Sequence, residues 1–129
     1  MESYLLKARE ISVEFPGVRA LDHVDFQLAA GEIHALAGAN GAGKSTLMKV
    51  LAGTNPGYTG EVWLDGRTVE LRSPAAAKKL GIHLVCQEVD QALAPALSAA
   101  ENMLLDDLSR PGSTWIRWRE VYRQAEELK

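Results

Sequence analysis

The sequence is short of several things, and each shortage removes a class of protein. One cysteine, Cys86, stands among 129 residues, which excludes an internal disulfide framework and suits a reducing compartment. No stretch approaches the roughly 18 consecutive apolar residues of a membrane span. Residues 1–10 mix acids with bases, so no secretory leader is expected either. Positive charge is not in excess: 14 Lys and Arg against 17 Asp and Glu leave a formal charge of −3. The basic footprint of a nucleic-acid binder is therefore missing, and no nucleic-acid partner is expected. Internal repeats and low-complexity runs are absent. What remains, 47% apolar and 24% charged residues, is ordinary for a globular chain, either one domain or part of a larger one.

Against this plain background one stretch is distinctive. Gly38, Ala39, Asn40, Gly41, Ala42, Gly43, Lys44 and Ser45 spell G-x-x-x-x-G-K-S, the phosphate-binding loop of nucleotide hydrolases. Its glycines let successive backbone N–H groups turn into an anion-holding concavity. Lys44 is suited to reach the β- and γ-phosphates, and the Ser45 hydroxyl to ligate Mg²⁺. A helix starting near Lys44 would add its positive dipole end. The context agrees. Residues 32–37 are mostly apolar and read as a buried strand. Residues 45–52 have helical spacing, with Leu47, Val50 and Leu51 on one face and Gly53 at the C-terminal cap. A dinucleotide fingerprint is excluded because no G-x-G-x-x-G occurs. The GTPase elements D-x-x-G and N-K-x-D are missing as well. The loop is read as binding a nucleoside triphosphate.

In chain order, residues 5–15 alternate weakly and read as a strand, followed by a turn at Pro16-Gly17 and a second strand over 21–28. The connection is too short for a crossover helix, so the two should be antiparallel. Residues 61–64 and 68–71 read as a hairpin around Asp65-Gly66. Ser73-Pro74 should start a short helix that ends at Gly81. Residues 82–85 read as a buried strand running into Gln87, and residues 87–97 as irregular. Ser98 to Glu101 has capping-box spacing for another helix. Residues 106–114 read as a linker. Trp115, Trp118, Tyr122 and Ala125, beside Val121 and Leu128, then form one apolar stripe on a last helix. That helix has no stop signal, as expected of a cut chain.

Other chemistry-bearing residues carry less weight. Asp65 could serve a metal, but Asp-Gly is a strong turn signal and the turn is preferred. Asp106 and Asp107 follow a helix rather than a strand. His23, His34 and His83 are scattered singly and read as structural, Cys86 as packing, and Tyr58 as a loop aromatic. Gln87, at the carboxyl end of a strand, occupies the edge where α/β sheets place ligands, although position alone does not separate a ligand contact from a structural role.

The chain resembles the nucleotide-binding subunits of ABC transporters over essentially its whole length. The resemblance rests on Gly31-Glu32-Ile33 leading into G-A-N-G-A-G-K-S-T-L, on Arg19-Ala20-Leu21, on Gly60-Glu61-Val62, and on the spacing of Phe15, the phosphate loop and Gln87. Finer likeness to the monosaccharide importers comes from Phe15-Pro16-Gly17-Val18, Ser73-Pro74 into Gly81-Ile82, Gln87-Glu88, and Leu97-Ser98 into Glu101-Asn102. Cys86 and Asp106-Asp107 depart from that pattern. The resemblance implies an α/β P-loop NTPase of ABC type, truncated: an antiparallel β subdomain, a partial parallel core sheet and the start of the helical subdomain. Residues 1–129 would be the N-terminal portion of one nucleotide-binding domain, with the core over about 1–97 and the helical part over about 98–129. It also implies ATP and Mg²⁺ as cofactors. Phe15 would stack on adenine, residues 38–46 including Thr46 would hold the phosphates, and Ser45 and Gln87 would ligate Mg²⁺. The partners implied are transmembrane permease subunits, a periplasmic sugar-binding protein and a second ABC domain, at the cytoplasmic face of the inner membrane. The signature motif, Walker B and the switch histidine are absent, so no catalytic residue is expected within the chain. It should bind nucleotide without hydrolysing it. The alternatives are a soluble ABC ATPase without transport partners, or an importer of another small solute.

Overall fold

A computed structural model describes residues 4–85, 93–105 and 116–127. Expectations for Cys86, Gln87, the 106–114 linker, Trp115 and Leu128 lie outside the described residues. The chain divides into two compact units, Met1–Leu84 and Val85–Lys129.

In the first unit, β1 (Tyr4–Phe15) and β2 (Val18–Ala29) form an antiparallel hairpin. Its turn is Pro16-Gly17, with Phe15 opposite Val18 and Gly17 at φ 80°. β3 (Tyr58–Leu64) pairs antiparallel with the other edge of β1, and β4 (Arg67–Val69) with β3, giving the order β2-β1-β3-β4. Asp65 and Gly66 both have positive φ, 49° and 72°, as a two-residue type I′ turn requires. Asp65 is therefore a turn residue, as its Asp-Gly context indicated.

The weak alternation of β1 has a physical cause. Leu6 and Ala8 are buried, but so are Ile11 and Val13, which would lie on the opposite face of a regular strand. A break in register between Ala8 and Ile11 absorbs the extra residue, with Glu10 at φ 54°. The Glu10 N–H freed from the ladder donates to Asp25 Oδ1 at 2.8 Å. Gly60 of β3 faces the bulge at φ 100°, where a Cβ would come within 2.5 Å of the Glu10 carbonyl oxygen. The bulge thus returns the apolar residues to one face. Ile11, Val13, Val62, Val50 and Leu71 are the largest fully buried side chains of the core this face covers, each worth about 1.5–3 kcal/mol of apolar transfer.

α1 (Lys44–Leu51) packs on this face through Leu47, Val50 and Leu51. It ends in a complete Schellman motif: Gly53 N–H donates to Val50 O at 3.0 Å and Thr54 N–H to Lys49 O at 2.9 Å. α2 (Pro74–Lys79) starts where Ser73 Oγ accepts from the Ala76 N–H and ends at Gly81, φ 83°. In the second unit, α3 (Ala99–Met103) carries the expected capping box between Ser98 and Glu101. α4 (Trp118–Glu127) meets it through Val121 and Ala125, which pack with Leu104 and Ala100. The apolar stripe on α4 is narrower than its sequence suggests, because Trp118 and Tyr122 are 45% and 51% exposed.

Two further expectations need correction. Residues 32–37 and 82–85 are neither strands nor buried, since all of 32–37 and all but Ile82 of 82–85 are exposed, and the sheet of the described residues is antiparallel throughout. A strand exists through its ladder, and neither segment has a ladder partner among the described residues. The side-chain alternation of a strand nevertheless survives in 32–37. Glu32, His34 and Leu36 line a cavity of about 300 Å³ beside Leu6, Phe26 and Leu28, whereas Ile33 is completely exposed.

Candidate functional site

The phosphate loop runs into α1 through Gly43, which occupies the N-cap with φ 84°. An added Cβ there would lie 2.6 Å from the Ala20 carbonyl oxygen and 2.7 Å from Leu21 Cδ2. The last glycine of the motif is thus both a left-handed turn and the place where the loop touches β2. Gly41 is also left-handed, at φ 82°, but faces open space.

How α1 begins decides what the loop can hold. The N–H groups of Lys44, Ser45 and Thr46 have no acceptor within the helix, and Leu47 makes the first such bond, to Gly43 O at 2.9 Å. In α2 and α3 a serine caps one first-turn donor, Ser73 accepting the Ala76 N–H and Ser98 the Glu101 N–H. α1 has no side-chain cap and no acid in its first turn. The start of α1 thus combines first-turn N–H groups without an intrahelical acceptor, the positive dipole end and a lysine in the first turn, a chemistry suited to a phosphate. Lys44 Nζ donates to the carbonyls of Gly38 and Ala39, both at 2.7 Å, and so closes the loop on itself. Ser45 is exposed at the second helical position, and Thr46, next along, is partly buried. Ala39, Asn40 and Ala42 are exposed, as a loop that meets a ligand with its backbone should be.

Phe15, 46% exposed, ends β1 at the hairpin turn. It pairs with Val18, and Ala20, which abuts Gly43, lies two residues further along β2. Two residues of strand span about 7 Å. The hairpin that abuts the loop at Ala20 thus carries an exposed aromatic at its turn. Gln87 is outside the described residues, so its relation to the loop rests on sequence alone.

The family model for the ABC transporter matches residues 21–129. The chain belongs to the ABC transporter family. It is 43% identical, over 98% of its length, to the xylose import ATP-binding protein XylG of Geobacillus kaustophilus (strain HTA426), covering 25% of that protein. It is 54% identical, over 78% of its length, to the ribose import ATP-binding protein RbsA 1 of Rubrobacter xylanophilus (strain DSM 9941 / JCM 11954 / NBRC 16129 / PRD-1), covering 20% of it. The chain thus spans about a quarter or less of the length of these relatives. Its fold is shared with cbiO1 from Clostridium perfringens, part of the ABC transporter complex cbiONQ. The TM-score is 0.69 at 24% identity, over 98% of this chain and 49% of that one. Like the sequence, the described residues of this ABC family member contain no helix long and apolar enough to cross a membrane.

Sequence reasoning passed over two features of the site. One is the seat of Gly43 on Ala20 and Leu21, which joins residues far apart in the chain. The other is Glu32. Its Oε2 accepts the Ala29 N–H at 2.7 Å and its Oε1 accepts from His34 Nδ1 at 2.8 Å. The alternation of Glu32, His34 and Leu36 was the available signal, hidden because His34 was read singly. The Ala29 N–H first, and then His34, hold the Glu32 carboxyl below its ordinary value of 4.5. A depressed folded pKa contributes stability that is complete above the ordinary value and is lost as pH falls through the folded one. Slow amide exchange at Ala29 should therefore persist at neutral pH and be lost only below the ordinary glutamate range. Exchange at Ala29 that accelerated already between pH 7 and 6 would contradict this.

Proposed function

We propose that this chain is the ATP-binding part of an ABC-type ATPase that powers sugar import across the bacterial inner membrane. The observation that carries the reading is the uncapped, acid-free start of α1 beneath a loop closed by Lys44. The names of the sugar-import relatives supply the substrate class. In this reading the N–H groups at residues 43–46 and the Lys44 ammonium hold the β- and γ-phosphates of ATP. Ser45 and Gln87 would hold Mg²⁺, which neutralises charge on the phosphates when bound. Phe15 stacks on adenine. The assembly stands on the cytoplasmic face of the membrane, with permease subunits, a second ABC domain and, through the permease, a periplasmic sugar-binding protein. Residues 1–129 bind nucleotide but do not turn it over. Positioning the attacking water takes a further group, and Asp65 is committed to its turn.

Two measurements test this. Phe15→Ala in the full-length protein should lose affinity for ATP by about 1–3 kcal/mol, the usual worth of stacking a base on an aromatic ring, while Phe15→Tyr keeps it. An unchanged Kd in Phe15→Ala would remove the residue from the site. For transport, vesicles holding the full-length protein and its permease should take up a pentose such as xylose or ribose only with ATP inside. Gln87→Ala should depress substrate-stimulated ATPase more than ATP binding. Uptake independent of ATP would refute the assignment.

A further inference from the structure

The phosphate loop must be held at both ends to keep its N–H groups aimed at one point. Its C-terminal end is held by Gly43 against Ala20 and Leu21, at the start of β2. Its N-terminal end is approached by residues 32–37, which have no ladder partner among the described residues. Among the described residues, the hydrogen bonds of that segment are those of Glu32 and His34. Glu32 N–H donates to Ala29 O at 3.3 Å, and its carboxylate accepts from Ala29 N–H and His34 Nδ1. An ionised carboxylate only accepts, so His34 Nδ1 carries the proton. The His34 ring also stands edge-on to Phe26 of β2, centroids 5.2 Å apart at 74°. Four residues later comes Gly38, whose carbonyl receives Lys44.

We infer that Glu32 and His34 are positioning residues for the phosphate loop, fastening its approach to the end of β2 as Gly43 fastens its exit to the start. Neither side chain touches nucleotide. They act through Gly38 and Ala39, the carbonyls that orient Lys44. The inference rests on the loop being the nucleotide site, and its test separates the two claims.

ATP is titrated into the full-length protein and its variants. His34→Phe should weaken ATP binding about fivefold, the scale of one lost hydrogen bond, and Glu32→Ala, which leaves two donors without their acceptor, should weaken it more. His34→Phe keeps a ring against Phe26 and loses only the Nδ1 donor. The double variant should be no weaker than Glu32→Ala, because both remove the same link. His34→Asn, whose amide nitrogen can take the place of Nδ1, should recover most of the affinity. A purely packing role for the ring would predict the opposite order, with Phe tolerated and Asn not. Unchanged affinity in both single variants, or losses that multiply in the double, would overturn the inference. Lys44→Ala is the control: if it too leaves ATP binding intact, the nucleotide reading fails instead. If His34→Phe does not fold, His34→Asn and Glu32→Leu decide the matter. Glu32→Leu, which leaves the Ala29 N–H and the His34 donor without an acceptor, should lose affinity while His34→Asn keeps it; equal, wild-type affinity in both overturns the proposal.

Discussion

Lys44→Ala is expected to weaken ATP binding about ten- to a hundredfold, since hydrogen bonds to charged groups are worth roughly 1.5–3 kcal/mol. Adenosine binding should hardly change. The difference follows from where the ammonium stands. It is tied at 2.7 Å to Gly38 O and Ala39 O, within the loop itself. Only the phosphates would meet its charge. The variant has a second effect that works in the same direction. Without Lys44 the carbonyls of Gly38 and Ala39 lose their shared donor, and the loop loses the strut that closes it. Parallel titrations of ATP and adenosine measure the selectivity, and an equal loss for both ligands would show that Lys44 acts on the fold rather than on the phosphates.

Gly43→Ala should be the most damaging single substitution in the loop, and Gly41→Ala a mild one. Both positions have nearly the same backbone, φ 84° and 82°. The left-handed conformation costs a residue with a Cβ about 1–2 kcal/mol at either. They differ in what surrounds them. At Gly41 an added Cβ meets nothing within 4 Å, whereas at Gly43 it meets Ala20 O at 2.6 Å and Leu21 Cδ2 at 2.7 Å. A backbone carbonyl cannot rotate away as the end of a side chain can, so α1 must lift off β2. Overpacking of this kind adds about 1–3 kcal/mol. The total for Gly43→Ala is then roughly 2–5 kcal/mol, and ATP binding should fail with it because the donors at residues 44–46 move. Denaturant midpoints of the two variants make the comparison. Similar midpoints would mean that the strand does not press on the loop as described.

Much of the architecture was legible in local residue order, where short-range chemistry decides the outcome. Pro16-Gly17 and Asp65-Gly66 mark the two hairpin turns, and Ser73-Pro74 and Ser98 with Glu101 mark helix starts. Gly53 and Gly81 mark helix ends. In each case the group that satisfies the backbone lies within a few residues of the group it satisfies. The phosphate loop was legible for the same reason, since its glycines, lysine and helix are consecutive. Strand assignment failed at 32–37 and 82–85, because an apolar run carries only a tendency to be buried, while the ladder and the cover that make a buried strand come from other chain segments; both stretches are mostly exposed. The stripe on α4 failed in another way. Helical spacing shows that Trp118, Val121, Tyr122 and Ala125 share a side, but not which of them another helix reaches.

By itself, then, the sequence determined the glycine-rich loop that opens α1, the caps and turns around it, and the antiparallel hairpin that precedes it. Tertiary structure decided three things that no local pattern contains. The bulge at Glu10 shifts the phase of β1, so that Leu6, Ala8, Ile11 and Val13 share one face. Ala20 and Leu21 press against Gly43, which turns a permissive glycine into an obligatory one. Glu32 joins Ala29 to His34 at the entrance of the loop. Each is a meeting of atoms placed by the path of the chain through space. Hydrogen bonds and steric contacts act over about 3–4 Å, so their partners become known only once that path is known.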